Sequence, residues 1–229
     1  MPLPKIATPT YELELPSTGK TIQYRPFLVK EEKLLVLALE SEDTTQITTA
    51  IKAVIKACIK TRGIKVETLP TFDIEFLFLN IRGKSVGEDL DVNIICPDDE
   101  KTQVKVNINL DDIQCQHTEG HTNKIELEGG LVMEMKYPSL DQFIKSNFDM
   151  KETNQMEQSF DLIASCIDKV YSAEEVWATE DCTKKELNEF LESMNSAQFK
   201  DIEKFFETMP KLSHEIKITN PETGVESDV

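Results

Sequence analysis

The chain has no apolar run approaching the ~20 residues that a bilayer-crossing helix needs. Its opening stretch, MPLPKIATPTYE, lacks the apolar core of roughly 7–15 residues that a secretion signal requires. It reads as a short proline-punctuated arm. Basic residues are the scarce sign of charge: 25 Lys and Arg face 42 Asp and Glu, for a net charge of −17. Sequence-independent binding to nucleic acid or to an anionic membrane needs a basic surface, so this balance argues against both partners. The cysteines (58, 96, 115, 166 and 182) are few, scattered and odd in number. Without a secretion signal they are expected as reduced thiols in a protein made in the cytosol. What is present is ordinary for a soluble protein: 39% apolar and 29% charged residues over 229 positions, enough for one large domain or two small ones.

Complete glycine-rich loops are also lacking. In Leu15-Pro16-Ser17-Thr18-Gly19-Lys20-Thr21 the first five residues have the form of a cell-wall sorting signal, but such signals lie near a C-terminus ahead of an apolar span. The last three end like a phosphate-binding loop, yet the position five residues before Gly19 is Glu14 rather than glycine. Gly83-Lys84-Ser85 has Phe78 at that position. Without the first glycine the backbone cannot curl its N–H groups around a phosphate. The flanks identify the first stretch instead. Tyr11, Leu13 and Leu15 alternate with glutamates, and Ile22 and Tyr24 alternate with Gln23 and Arg25, which predicts a β-hairpin with one buried face.

Beyond the hairpin, the periodicity predicts a helix over 28–40 and a second opened by Asp43-x-x-Gln46, with Ile47, Ile51, Val54, Ile55 and Cys58 on one stripe. A third, TFDIEFLFLNI after Pro70, is apolar on nearly all sides and so expected at the centre of a core. Val92, Ile94 and Cys96, then Val104, Val106 and Ile108, alternate around the turn PDDEKT as another hairpin. Residues 111–130 read as a polar loop with a short strand near 125–127, and 131–137 as a strand. Helices are then expected at Ser139-x-x-Gln142 with Leu140, Phe143 and Ile144, and over 154–170 with Met156, Phe160, Ile163, Ile167 and Val170. Two more open at Thr183-x-x-Glu186 and at Asn195-x-x-Gln198. Leu212, His214, Ile216 and Ile218 alternate as a last strand before the turn at 220–224. The order of segments predicts an α+β fold with antiparallel sheet rather than a wound βαβ fold. Three regions follow: 1–88, an N-terminal hairpin with helices; 89–138, a central antiparallel β region; and 139–229, a C-terminal helical region ending in a strand.

The best chemical cluster is Cys115-x-His117-x-x-x-His121, with Cys96 a hairpin away. Thiolates and imidazoles are zinc ligands, and four would complete a tetrahedron. A zinc ribbon, however, supplies cysteines in close pairs, and Asp99 stands where the partner of Cys96 would be. A polar loop carrying incidental histidines is the favoured reading, with a small zinc-stabilised binding domain as an alternative. A Cys–His nucleophilic pair from the same residues has no third orienting group and no oxyanion hole. Cys58 and Cys166 lie on apolar stripes, as small core residues do. Trp177, in EEVWATED, is placed in a connector, either as a cap over the core or as an interface anchor. Phe205 and Phe206 cannot both face one way. No catalytic, cofactor-binding or metal residue is assigned. An interaction protein is favoured over an enzyme, with no small-molecule substrate.

Four blocks in order, YELELPSTGKTIQYRPFLVKEEKLLVLALES (11–41), FDIEFLFLNIRGKSVGE (72–88), KYPSLDQFI (136–144) and TKKELNEFLESMNSAQFKDIEKFFETMPKLSHEIKITNPETG (183–224), resemble the T4-like bacteriophage baseplate hub subunit family over nearly the whole chain. The resemblance implies a non-catalytic, cofactor-free protein of contractile-tail baseplate assembly. Its partners would be other hub or baseplate proteins, its place the host cytoplasm during assembly and then the virion tail. It implies either a retained hub subunit or a transient hub-assembly chaperone. Some members of that family carry a Cys-Pro-x-Cys knuckle where this chain has Cys96-Pro97-Asp98-Asp99, which removes the main argument for a metal.

Overall fold

The computed structural model describes residues 6–142, 144 and 155–229. The expected core positions Phe143 and Met156 lie outside the described side chains, as do residues 1–5 of the N-terminal arm. Strand β1 (Tyr11–Glu14) pairs antiparallel with β2 (Thr21–Tyr24), Tyr11 opposite Tyr24 and Leu13 opposite Ile22. The alternation puts those four side chains on one face, as the sequence predicts. The turn between them closes through the Leu15 N–H donating to the Lys20 carbonyl at 3.0 Å and the Gly19 N–H to the Leu15 carbonyl at 2.8 Å. Gly19 sits at φ 65°, where a side chain is strained.

Three helices follow: α1 (Val29–Glu40), α2 (Thr44–Cys58) and α3 (Thr71–Val86). Asp43 caps α2 by accepting from the N–H groups of Thr45 and Gln46. The return bond differs from a capping box: the Gln46 amide reaches the Asp43 carboxylate at 3.0 Å rather than its backbone. Against the hairpin, α2 and α3 bury Ile22, Val54, Ile55, Leu77 and Ile81 completely, forming a first core with Leu15, Tyr24, Cys58, Val66 and Ile74.

Strands β3 (Asp89–Ile95) and β4 (Gln103–Asn109) make a seven-residue hairpin, and no residue of either belongs to the buried set of a core cluster. The second core belongs to a four-stranded antiparallel sheet in sequence order, β6 (Lys124–Glu126), β7 (Val132–Met135), β8 (Ile167–Tyr171) and β9 (Val176–Ala178). Helices α4 (Gln155–Ser165), α5 (Lys184–Glu192) and α6 (Ser196–Thr208) cover it. Met133, Met135, Cys166, Ile167, Leu191, Ile202 and Phe205 are among its buried side chains. Thr183 and Asn195 cap α5 and α6 with complete capping boxes. Between the cores, the Thr71 N–H and hydroxyl both donate to the Pro138 carbonyl, and Phe72 meets Tyr137 edge-on at 5.1 Å. The fold is α+β with small antiparallel sheets.

Four local expectations change. The helix expected over 154–170 stops at Ser165, and Ile167–Tyr171 is an inner strand of the sheet. The cause is a bulge: Met135 opposes Ile167 while Glu134 opposes Lys169, so Asp168 is an extra residue in β8. The extra residue returns Ile167 and Val170 to the same face, three apart, which imitates helical spacing. Residues 111–130 are not all loop, because β5 (Gln114–Gln116) pairs with β10 (Lys211–Ser213), a remote partner in the chain that local pattern does not reveal. The strand expected over 212–218 is therefore two: β10, and β11 (Lys217–Thr219), which pairs with β12 (Glu226–Asp228). Trp177 lies in β9 rather than in a connector.

Candidate interaction surfaces

The two phosphate-like half-motifs serve the scaffold. Ser17, in the first turn, donates its N–H to Asp73 Oδ1 at 3.0 Å and its hydroxyl to Asp73 Oδ2. Asp73 is fully buried in the first turn of α3, so the hairpin is bolted to that helix. Burial pushes the Asp73 carboxyl above its usual range, against the two Ser17 bonds. Gly83, Lys84 and Ser85 lie inside α3, not in a loop. Lys84 pairs with Glu88 and, at 3.5 Å, with Asp111. Ser85 Oγ accepts from the Phe27 N–H at 2.9 Å.

The four candidate zinc ligands are distributed over different tasks. Cys96 is buried at the end of the β3–β4 hairpin, its N–H donating to Thr102 at 2.8 Å. Asp99 accepts from the N–H groups of Lys101 and Thr102 there, and Asp98 accepts from Asn220 and Thr223, tying the last hairpin to this turn. Cys115 is in β5, half-buried, with burial and the nearby Asp73 and Glu75 pushing its thiol up to about 11. Burial thus holds it in the protonated, less reactive form at neutral pH. His117 is exposed. His121 is not incidental: its ring lies 5.7 Å from Tyr137 and 5.4 Å from Phe205, with Nδ1 2.9 Å from Thr208 Oγ1 and Nε2 2.8 Å from the Tyr137 hydroxyl. Among the described residues no three His, Cys, Asp or Glu side chains gather as a metal site. Cys58 and Cys166 are fully buried, and burial raises their thiols to about 11 and about 12.

Two apolar surfaces stand out instead. Helix α1 buries Ala38 and the capping Glu31, and turns Val29 (79% exposed), Leu34, Val36, Leu37 (55%) and Leu39 (61%) into solvent. These residues spread around most of the helix circumference. Leu35 packs against the first core and α2 lies along the helix, but these contacts leave the five outside. Leu34 and Leu37 also border a furrow of about 320 Å³ against Thr45, Thr49 and Ala53 of α2. The sequence signal is Leu34-Leu35-Val36-Leu37-Ala38-Leu39, more apolar surface than one buried face accepts. The second surface is a groove of about 300 Å³ beside Trp177, between β8–β9 and α5.

A profile of the T4 bacteriophage base plate protein family matches residues 8–229. The chain belongs to that family. No curated protein and no solved structure matches it. A base plate protein works in a multi-protein structure, and for base plate family members exposed apolar surface is the expected raw material of contacts with neighbours. Among the described residues no helix is long and apolar enough to cross a membrane.

Proposed function

We propose that the chain is a non-catalytic hub-region subunit of a contractile-tail baseplate that works by binding neighbouring baseplate proteins. The observation that carries this reading is the outward apolar face of α1, a surface whose exposure costs a free protein solubility and whose covering stabilises a complex. The net charge of −17 adds that partner surfaces are neutral or basic, with salt-sensitive association. The strands at the two ends, β1 and β12, offer short edges for further contacts. Mass spectrometry of purified particles, beside a pull-down from infected cells, tests the reading. The expected result is stoichiometric presence in particles and recovery of hub proteins, lost when Leu37 and Leu39 are both changed to Glu. Recovery of hub proteins with absence from particles replaces the subunit by an assembly chaperone. Recovery of no tail protein at all overturns the reading.

A further inference from the structure

The Trp177 groove has a composition that specifies its occupant. Its walls are Leu131, Ile167, Val170, Trp177, Leu187 and Phe190. The donors at its edge are already spent: the Thr179 hydroxyl donates to the Ile167 and Asp168 carbonyls and Cys182 Sγ to the Ala178 carbonyl, while one oxygen of Glu186 accepts from Thr183. The apolar walls themselves offer an entering group no hydrogen bond, so a polar group packed against them would lose its water without compensation. The volume suits one bulky apolar side chain rather than a folded element. Acidic residues flank the strand that carries Trp177. Glu174, Glu175, Glu180 and Asp181 bracket β9 on both sides and are all exposed. None of the four is in an ion pair among the described residues.

We propose that this groove receives a large apolar side chain carried on a lysine- or arginine-rich segment of another baseplate protein. The apolar side chain supplies the buried contact, and the basic flanks pair with the exposed carboxylates on either side of β9 and steer the approach. A second copy of this chain is a poor occupant, since it would bring the same net charge of −17. Trp177 is half exposed at 43% beside a 66% exposed Val176, an amphipathic ring positioned to close over what enters. The proposal rests on the reading that the chain works by binding baseplate proteins.

The test uses the full chain and labelled fifteen-residue peptides tiled across the phage's own tail proteins. Polarisation measures binding, and the emission of Trp177, the sole tryptophan, reports groove occupancy. The expected result is saturable binding of a tile with a large apolar residue between basic residues, shifting Trp177 emission. Trp177→Ala should weaken that tile about tenfold or more, as anchor residues do. Changing Glu174, Glu175 and Glu180 to Lys, a surface alteration whose folding is checked by circular dichroism, should weaken it comparably at low salt. No binding tile, binders that are acidic or lack a large apolar residue, or binding unchanged in both variants overturns the proposal. If both variants still recover tail proteins from infected cells as well as wild type does, the groove proposal fails while the baseplate reading stands. If wild type recovers none, the reading itself falls.

Discussion

Helices α1 and α6 have nearly the same length, 12 and 13 residues, and opposite finishes. Helix α6 buries Ile202 and Phe205 and turns Lys200, Asp201, Glu203, Lys204 and Glu207 to water. Its apolar stripe is used up inside the chain. Helix α1 buries Ala38 and the capping Glu31 and leaves five large apolar side chains outside. The chain covers one helix's apolar stripe by itself and leaves much of the other's exposed. The difference is one of hydrophobic accounting, since a single helix–helix contact covers one stripe and α1 carries apolar residues well beyond one stripe.

The sharpest way to break this comparison is to truncate one apolar residue on each helix. Phe205 is buried and ringed by aromatics, stacking with Tyr137 at 5.5 Å and meeting Phe206 edge-on at 5.1 Å. Phe205→Ala should cost about 3–5 kcal/mol through lost transfer energy and the cavity left behind. Leu37→Ala should stay within about 0.5 kcal/mol, the range of surface substitutions. Urea denaturation of both variants measures this. A comparable loss in Leu37→Ala would mean that α1 has an internal partner, and the contrast would collapse.

A smaller effect separates how the two regions are fastened. The first core holds its hairpin through the buried Asp73, whose two oxygens accept from Ser17. Asp73→Ala leaves the Ser17 groups unpaired and should cost about 1–3 kcal/mol. Burial raises the folded-state pKa of Asp73 above its ordinary value of 3.8. The native state therefore holds this proton more tightly than the unfolded state. The stability it contributes is complete below pH 3.8 and is lost as pH rises through the raised folded value. Asp73→Asn has no such proton, so wild type should lose ground to it over that window. Denaturation at a series of pH values, taken as the difference between the two proteins, checks the sign. A difference that shrinks with rising pH would mean that the Ser17 bonds outweigh burial.

Local pattern carried most of the elements. The N-terminal hairpin, α1 to α3, the β3–β4 hairpin and the caps at Thr183 and Asn195 all rest on contacts a few residues apart, and such signals are legible in sequence. The losses are non-local. Cys115 reads as loop because its strand has a remote partner in Leu212, and Ile167 and Val170 read as helix because a bulge supplies the spacing. The surfaces were legible only in part. Trp177 was recognisable as core cap or interface anchor, but its place in β9 and the groove beside it depend on the sheet. That the apolar run of α1 stays outside could not be read at all, since composition states how much apolar surface exists and not how much the fold covers.

The smallest expected effect concerns the second region's counterpart to Asp73. His121 joins the chain ahead of β6 to α6 and to Tyr137 through both ring nitrogens. The Thr208 hydroxyl donates to the Lys204 carbonyl at 2.7 Å, so its oxygen is left to accept the Nδ1 proton. Nε2 then accepts from the Tyr137 hydroxyl, which is the arrangement of a neutral imidazole. Burial, with His117 nearby, lowers the His121 pKa below its ordinary 6.5. Here the unfolded state binds the proton more readily, so the histidine's contribution is present above pH 6.5 and is lost as pH falls through the lowered folded value. The two groups thus impose opposite slopes: the buried Asp73 favours the folded state at acid pH and the half-buried His121 favours it near neutrality. His121→Phe keeps an aromatic ring against Tyr137 and Phe205 and removes the titration. The difference in stability between wild type and this variant should shift against wild type as pH falls from 7.5 to 5, opposite in sign to the shift that Asp73→Asn reports. An NMR titration of the ring protons places the pKa directly. A value above 6.5 would show that the charged ring is the bound form and that Tyr137 accepts from it.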